Sequence, residues 1–125
     1  MTHLLDVNVL LAAIWGEHPL HRRAFDWLEG KKVAVCPLVE LGYVRISTNP
    51  KSSFNAPMEK TRELLRNFIA QRKAIRISDD LPALDSNPKT SDDVTDNYLA
   101  ALAERHGFKL ATMDGKINHP AATLI

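Results

Sequence analysis

Four acidic residues in this chain stand where an α/β sheet would present them to a ligand. Asp6 directly follows the apolar pair Leu4-Leu5, and Asp114 lies two residues beyond the apolar run Phe108 to Thr112. Glu40 falls in the first turn of a helix opening at Pro37, and Asp96 in the first turn or so of a helix ending near His106. Ligands of open α/β sheets collect beyond the carboxyl ends of the strands, so in a parallel sheet Asp6, Glu40 and Asp114 share one rim. Asp96 joins them if its helix starts at that rim. Carboxylates gathered there repel: a pair 4 Å apart costs about 4 kcal/mol at an effective dielectric of about 20. A hard divalent cation such as Mg²⁺ or Mn²⁺ removes that cost, because it takes oxygen ligands. Such a cation also activates water and offsets charge on a phosphodiester. The chemistry implied is metal-dependent phosphoryl hydrolysis.

Each acid also has a second reading. Glu40 and Asp96 suit the positive ends of their helices, and Asp114 before Gly115 suits a turn. Asp6 is the hardest to reassign, since a carboxylate after two leucines is costly when buried without a partner. Arg45, one turn and a little beyond Glu40, projects towards the same cleft, either to grip a phosphate or to pair with one of the acids. The other candidates read as structural. Arg22 and Arg23 read as a solvated helix face, and His18 and His21 as solvated surface without a metal-ligand pattern. Trp15 and Trp27 read as core or dimer-interface anchors. No Ser-His-Asp arrangement is supported around Ser47, Ser52 and Ser53.

The elements that must position these groups follow from the hydrophobic pattern. His3 to Asp6 begins as a strand and leads through a tight turn into a helix over Asn8 to Trp15. His18 to Leu28 is a second helix, with Leu20, Ala24, Phe25 and Leu28 inward and Gly30 as its stop. Lys32 to Cys36 is a buried strand, and Pro37 opens a helix carrying Leu38, Leu41 and Val44. Ser47 to Pro57 is a mobile loop, and Met58 to Arg72 an amphipathic helix with Met58, Leu65, Phe68 and Ile69 inward. Ala74 to Ser78 is a third strand and Asp79 to Lys89 a polar connection. Thr90-x-x-Asp93 is a capping box before a helix that Gly107 ends. Phe108 to Thr112 is a fourth strand, and Ala122 to Ile125 a short fifth. The expected fold is a three-layer α/β/α domain with a mainly parallel central sheet of four to five strands.

The chain has 125 residues, expected to form a single domain over 1–125. With 16 Lys and Arg against 15 Asp and Glu, overall charge makes no case for nucleic acid, so any RNA contact needs a local patch. The single Cys36 excludes an internal disulfide and fits a reducing compartment. The apolar run Val7 to Trp15 is too short to span a bilayer and has no basic segment before it, so a cytoplasmic location is expected.

Four blocks of this sequence resemble the motifs of PIN-domain proteins, above all the VapC-type toxins of bacterial toxin–antitoxin modules. They are Leu5-Asp6-Val7-Asn8-Val9-Leu10, Cys36-Pro37-Leu38-Val39-Glu40-Leu41-Gly42-Tyr43-Val44-Arg45, Thr95-Asp96-Asn97-Tyr98-Leu99-Ala100-Ala101-Leu102-Ala103 and Leu110-Ala111-Thr112-Met113-Asp114. The resemblance implies an endoribonuclease dependent on Mg²⁺ or Mn²⁺, a homodimer, and inhibition by a small cognate antitoxin. It carries Asp6, Glu40, Asp96 and Asp114 over as the catalytic acids, with Asp6, Asp96 and Asp114 as cation ligands. Glu40 either holds the cation or orients the attacking water. Asn8 and Thr112 match positions of supporting polar residues; they also suit a helix start and an ordinary strand. Where many members have another acid after the last Asp, this chain has Gly115-Lys116-Ile117-Asn118, which argues against a second metal ion. Asp93, three residues before Asp96, is a partial substitute if it is not a cap.

Two rival functions remain at this stage. One is a non-catalytic RNA- or protein-binding module on the same fold; the other is an acidic-site α/β phosphatase. A receiver domain is disfavoured, since Met1 to Leu5 lacks its acidic pair.

Overall fold

The computed structural model describes residues 1–125. Its centre is a five-stranded sheet in the order β3-β2-β1-β4-β5, with every neighbouring pair parallel. The strands are β1 (Thr2–Leu5), β2 (Lys32–Val35), β3 (Ile75–Arg76), β4 (Lys109–Thr112) and β5 (Ala122–Leu124). Parallel sheets are covered on both faces, and the central strands show it. Leu4, Leu5, Ala34, Val35, Leu110 and Ala111 are all fully buried. The edge strand β3 is shorter than its sequence suggests, because only Ile75 and Arg76 pair with β2 and both are exposed.

The helices are α1 (Val7–Ile14), α2 (His21–Leu28), α3 (Pro37–Thr48), α4 (Met58–Arg72) and α5 (Val94–Arg105). Helices α1 to α4 pack on one another, whereas α5 packs on β4 and β1. The chain winds from β1 to β3 in one direction and then crosses back to β4. Right-handed crossovers therefore put α5 on the opposite face of the sheet. The expected three-layer α/β/α architecture is what forms.

Several local expectations are corrected. No turn separates β1 from α1: Asp6 itself is the N-cap, and Asn8 is an exposed residue of the first helical turn rather than the start residue. The second helix begins at His21, and its Leu20 and Phe25 are exposed. Phe25 tolerates this because the Arg72 guanidinium lies 5.3 Å from its ring. His21 and His18 are half-buried rather than fully solvated: His21 Nδ1 lies 2.7 Å from the Ala12 carbonyl oxygen, and His18 stacks on Phe54. Arg22 and Arg23 are exposed, as expected of a solvated helix face, where Arg22 pairs with Asp26 and Arg23 donates to the Ile125 carbonyl.

In α3 the buried side is Val39, Gly42, Tyr43 and Ser47, which leaves Leu41 largely exposed; in α4, Thr61 rather than Met58 faces in. The loop after α3 is pinned rather than free. Ala56 N–H donates to the Ser47 carbonyl, and Phe54 stacks on Trp15 with ring centroids 5.6 Å apart. Trp15 is a core residue whose Nε1–H donates to Ser47 Oγ at 2.9 Å. The capping box does not form. Ser91–Asp93 is a 3₁₀ turn, and neither Thr90 nor Asp93 caps α5 through its side chain. Pro37, Gly30 and Gly107 act as expected, the two glycines at φ +74°.

Helices α1 and α3 cross at Gly42. Glycine inside a helix normally costs about 0.5–1 kcal/mol relative to alanine. Here, however, an added Cβ would meet Val7 Cγ2 at 2.8 Å, and a β-branched side chain has little freedom to move aside. Gly42→Ala is therefore expected to destabilise the protein, by about 1–3 kcal/mol. Thermal unfolding measures it, and the penalty should vanish in a Val7→Ala background.

Candidate active site

The parallel sheet sends all five carboxyl ends to one rim, and the strand order reverses between β1 and β4. That reversal is the topological switch point at which such sheets bind ligands. Asp6 stands there at the end of β1, held in the sheet by its N–H donating to the Ala111 carbonyl at 3.0 Å. It is 4% exposed. One carboxylate oxygen accepts the Val7 N–H at 2.7 Å, and the other accepts the Thr112 hydroxyl at 2.9 Å. Burial raises its carboxyl pKa, the two hydrogen bonds oppose the rise, and the charge of Asp114 adds to it.

Thr112 joins two of the acids. Its buried hydroxyl donates to Asp6 and accepts the Asp114 N–H at 3.0 Å, fixing the turn that follows β4. Asp114 in turn accepts the Lys116 N–H at 2.9 Å. Asp96 lies half-buried in the first turn of α5. Because α5 runs back against the strands before β4, its N-terminus is at the carboxyl rim, and the condition set for Asp96 is met. Burial, then the charges of Asp6, Asp114 and Asp93, push the Asp96 carboxyl up to about 6.

The structure thus brings Asp6, Asp96, Asp114 and Asp93 together and leaves Glu40 apart. Asp93, Asp96 and Asp114 line a cleft of about 700 Å³ that Lys89, Lys116 and His119 also border. None of the four aspartates forms a salt bridge. Glu40 sits on the same rim, but its carboxylate is engaged by Arg76, with Nη2 at 2.9 Å and Nε at 3.2 Å. Arg45 is exposed and pairs with no acid, so the salt-bridge alternative for it is not realised. Asn8, also exposed, makes no side-chain hydrogen bond.

Three further residues shape the rim, and the sequence carried little signal for them. Asn97 is buried, and its Oδ1 accepts the Asn87 N–H at 3.0 Å. Tyr98 donates to the Leu81 carbonyl at 2.8 Å. Together they fasten the connection between β3 and α5 over the cleft. Asn97 and Tyr98 fall within the third PIN-like block, but nothing in it assigned either a role. Arg76 had no signal, being an ordinary exposed arginine in a short strand.

The cluster suits a hard cation in kind. Its donors are all carboxylate oxygens, the neighbouring charges add to the raised pKa of Asp6 and of Asp96, and no side-chain cation forms an ion pair with them. No three His, Cys, Asp or Glu side chains stand close enough to hold one ion directly. An ion such as Mg²⁺ that retains several of its waters would need fewer direct carboxylate ligands.

Residues 3–122 match the PIN domain family. The chain belongs to the PIN domain family. Among curated PIN-domain relatives, Ribonuclease VapC38 of Mycobacterium tuberculosis is 35% identical over 91% of this chain and 86% of its own length. Ribonuclease VapC39 of the same species is 34% identical over 98% of this chain and 95% of its own length. Among solved structures, a chain of a toxin–antitoxin complex from Klebsiella pneumoniae superposes with a TM-score of 0.65 at 17% identity, covering 97% of this chain and 95% of that one. A chain of VapBC2 from Rickettsia felis, bound to a DNA fragment from its promoter, gives 0.64 at 15% identity, covering 100% and 98%. These likenesses extend over the whole α/β/α fold.

In this PIN domain the charge on Asp96 is unfavourable before any cation binds. With its folded pKa near 6 against an ordinary value of 3.8, the protonated form is favoured on folding. That contribution to stability is complete below the ordinary carboxyl range and is lost as pH rises through about 6. Solvent screening reduces the effect at pH 7 to about 1 kcal/mol. Asp96→Asn should therefore raise the Tm of the metal-free protein by a few degrees at pH 7 and change it little at pH 4. Scanning calorimetry in chelator tests this; a lower Tm at pH 7 would mean that the Asp96 charge is already balanced.

Proposed function

We propose that this PIN-domain protein is a metal-dependent endoribonuclease, the toxin of a toxin–antitoxin pair. The observation that carries the reading is the group of unpaired aspartates at the switch point, in a chain about one-third identical along nearly its full length to proteins named ribonucleases. Asp6, Asp96 and Asp114 would hold Mg²⁺ or Mn²⁺, which when bound supplies Lewis-acid stabilisation of charge on a phosphodiester. Asp6 would contribute the most fixed oxygens, because it is buried and each of its two carboxylate oxygens accepts a hydrogen bond. Thr112 keeps Asp6 and Asp114 in register, while Asp93 adds negative charge at the mouth. Lys89 and Lys116 give the cleft positive groups within reach of a phosphate strand. Glu40 belongs to this catalytic rim either as a further cation-holding group or through its partner Arg76. Arg45 and Asn8 remain substrate-side and supporting residues.

The toxin role is supported by structural neighbours that are toxin–antitoxin complexes. With it come a small cognate antitoxin as inhibitor, a homodimer as the assembly and the cytoplasm as the location. No helix is long and apolar enough to cross a membrane.

Mn²⁺ should support cleavage of single-stranded RNA, and chelator or Asp6→Asn should abolish it while circular dichroism stays unchanged. RNA ends sequenced after induction of wild type and Asp6→Asn in parallel should differ at discrete sites. Undiminished cleavage by Asp6→Asn would sink the assignment, and release of phosphate from small monoesters would favour a phosphatase instead. Induction should also arrest growth unless the protein encoded immediately upstream is co-expressed.

Thr112 gives a finer test. Removing a hydrogen bond that orients a ligating carboxylate typically weakens metal binding by about 10–100-fold. Thr112→Val should do so in a Mn²⁺ titration, and Thr112→Ser should retain most of the affinity.

A further inference from the structure

An acidic cleft is a poor place for a polyanion to gain affinity. Asp6, Asp93, Asp96 and Asp114 together exceed the charge of one divalent ion, and Lys89 and Lys116 share the cleft with Asp85, Asp92 and Glu104 as well, so a strand of RNA needs cations outside it. The structure supplies a group at the same rim. Arg76 is the last residue of β3, level with Val35 in β2, two strands from Asp6. Strands lie about 4.8 Å apart, which puts it about 10 Å along the rim from β1. Arg62 and Arg66, one turn apart on α4, line the cleft that runs from Arg76 and Glu40 between α3 and α4. Both are exposed, and neither has an acidic partner. Glu40 is the only carboxylate lining this cleft.

The Arg76–Glu40 pair is unequal. The Glu40 side chain is 17% exposed and that of Arg76 65%. Glu40 occupies Nε–H and one Nη2–H, and a guanidinium has five such donors, so three stay free and face solvent. A surface ion pair of this kind adds little stability. What it does is fix the plane and direction of the guanidinium, which an exposed arginine otherwise lacks.

We propose that Arg76 binds a backbone phosphate of the RNA, a nucleotide or two from the bond that is cut, with Glu40 as the positioning residue that aims it. Arg62 and Arg66 continue the track along α4. The inference rests on the ribonuclease reading for its ligand, but not on turnover. The cleft floor also carries Leu41, Val44 and Ile69, so an apolar segment of a partner protein is the competing occupant.

The test is binding of a short, labelled, single-stranded RNA by fluorescence anisotropy across a potassium chloride series, in an Asp96→Asn background. Arg76→Ala should weaken binding about tenfold at low salt, the size of one charge-assisted contact. It should also reduce the slope of log K against log salt by about 0.7, one single-strand phosphate. Arg76→Lys should keep the slope and lose part of the affinity. Mn²⁺ affinity, read by titration calorimetry with Asp96 restored, should not change in Arg76→Ala. Glu40→Gln should weaken RNA binding alone but have no further effect once Arg76 is alanine.

An unchanged slope in Arg76→Ala overturns the proposal, as does an equal loss of Mn²⁺ affinity, which would make Arg76 a structural support of the metal site. Failure of the protein to bind RNA at all also overturns it, as does Arg76→Ala impairing only association with the co-expressed upstream protein. Cleavage that survives Asp6→Asn alongside an Arg76-dependent salt slope would instead remove the ribonuclease mechanism and leave this phosphate contact standing.

Discussion

The arrangement depends on a carboxylate that the fold buries at the end of its central strand. Asp6 follows Leu4 and Leu5 into a region almost closed to solvent, and burying a charge there is costly unless its oxygens find donors. Two donors are built around it: the first N–H of α1 and the hydroxyl of Thr112 on the neighbouring strand. The first makes Asp6 the point where strand becomes helix, with no intervening turn. The second ties the ends of β1 and β4 together across the switch point, and the same hydroxyl sets the Asp114 turn. The Asp6–Thr112 contact thereby fixes the start of α1 and ties Asp6 to the Asp114 turn.

How much of this was legible in the sequence follows from the range of the forces involved. The central strands were readable because a parallel strand buried on both faces is continuously apolar, as in Leu4-Leu5 and Lys32 to Cys36. Helix ends set by local chemistry, at Pro37, Gly30 and Gly107, were readable for the same reason. Asp6 and Asp114 stood out because their place relative to those strands is a local fact. The buried side of α3 was not readable. Leu41 is the more apolar residue, yet Gly42 faces inward because only glycine lets Val7 of α1 approach so closely. That is a constraint between helices, invisible in either alone. The capping box failed similarly: Thr90 and Asp93 had the right spacing, but the 3₁₀ turn between them changes the geometry on which the motif depends.

Glu40 marks the boundary of what motif position can say. Its place in the first turn of α3 was correctly read, and that place does bring it to the carboxyl rim. Its chemistry was set by Arg76, which lies 36 residues away in a strand of two residues. Nothing local to either residue encodes the pair. The exposed strand β3 contributes almost nothing to the core, and its chief structural consequence is to place that guanidinium beside β2.

The rim therefore separates two electrostatic tasks that oppose each other if combined. Under the proposed function, unpaired aspartates would concentrate the negative charge that attracts a cation, and they would repel the polyanion on which it acts. Arginines within the cluster would relieve the repulsion but would also satisfy the carboxylates, as Arg76 does Glu40, and leave little demand for a cation. Two strand spacings resolve the conflict. About 10 Å is close to one Debye length at physiological ionic strength. Arg76 accordingly pairs with Glu40 and with none of the four aspartates, while staying on the same rim, within reach of the RNA strand that the proposed function requires. The buried charges of Asp6 and Asp96 oppose folding, and the large core tolerates that burden because Leu4, Leu5, Leu110 and their neighbours are packed on both faces of the sheet.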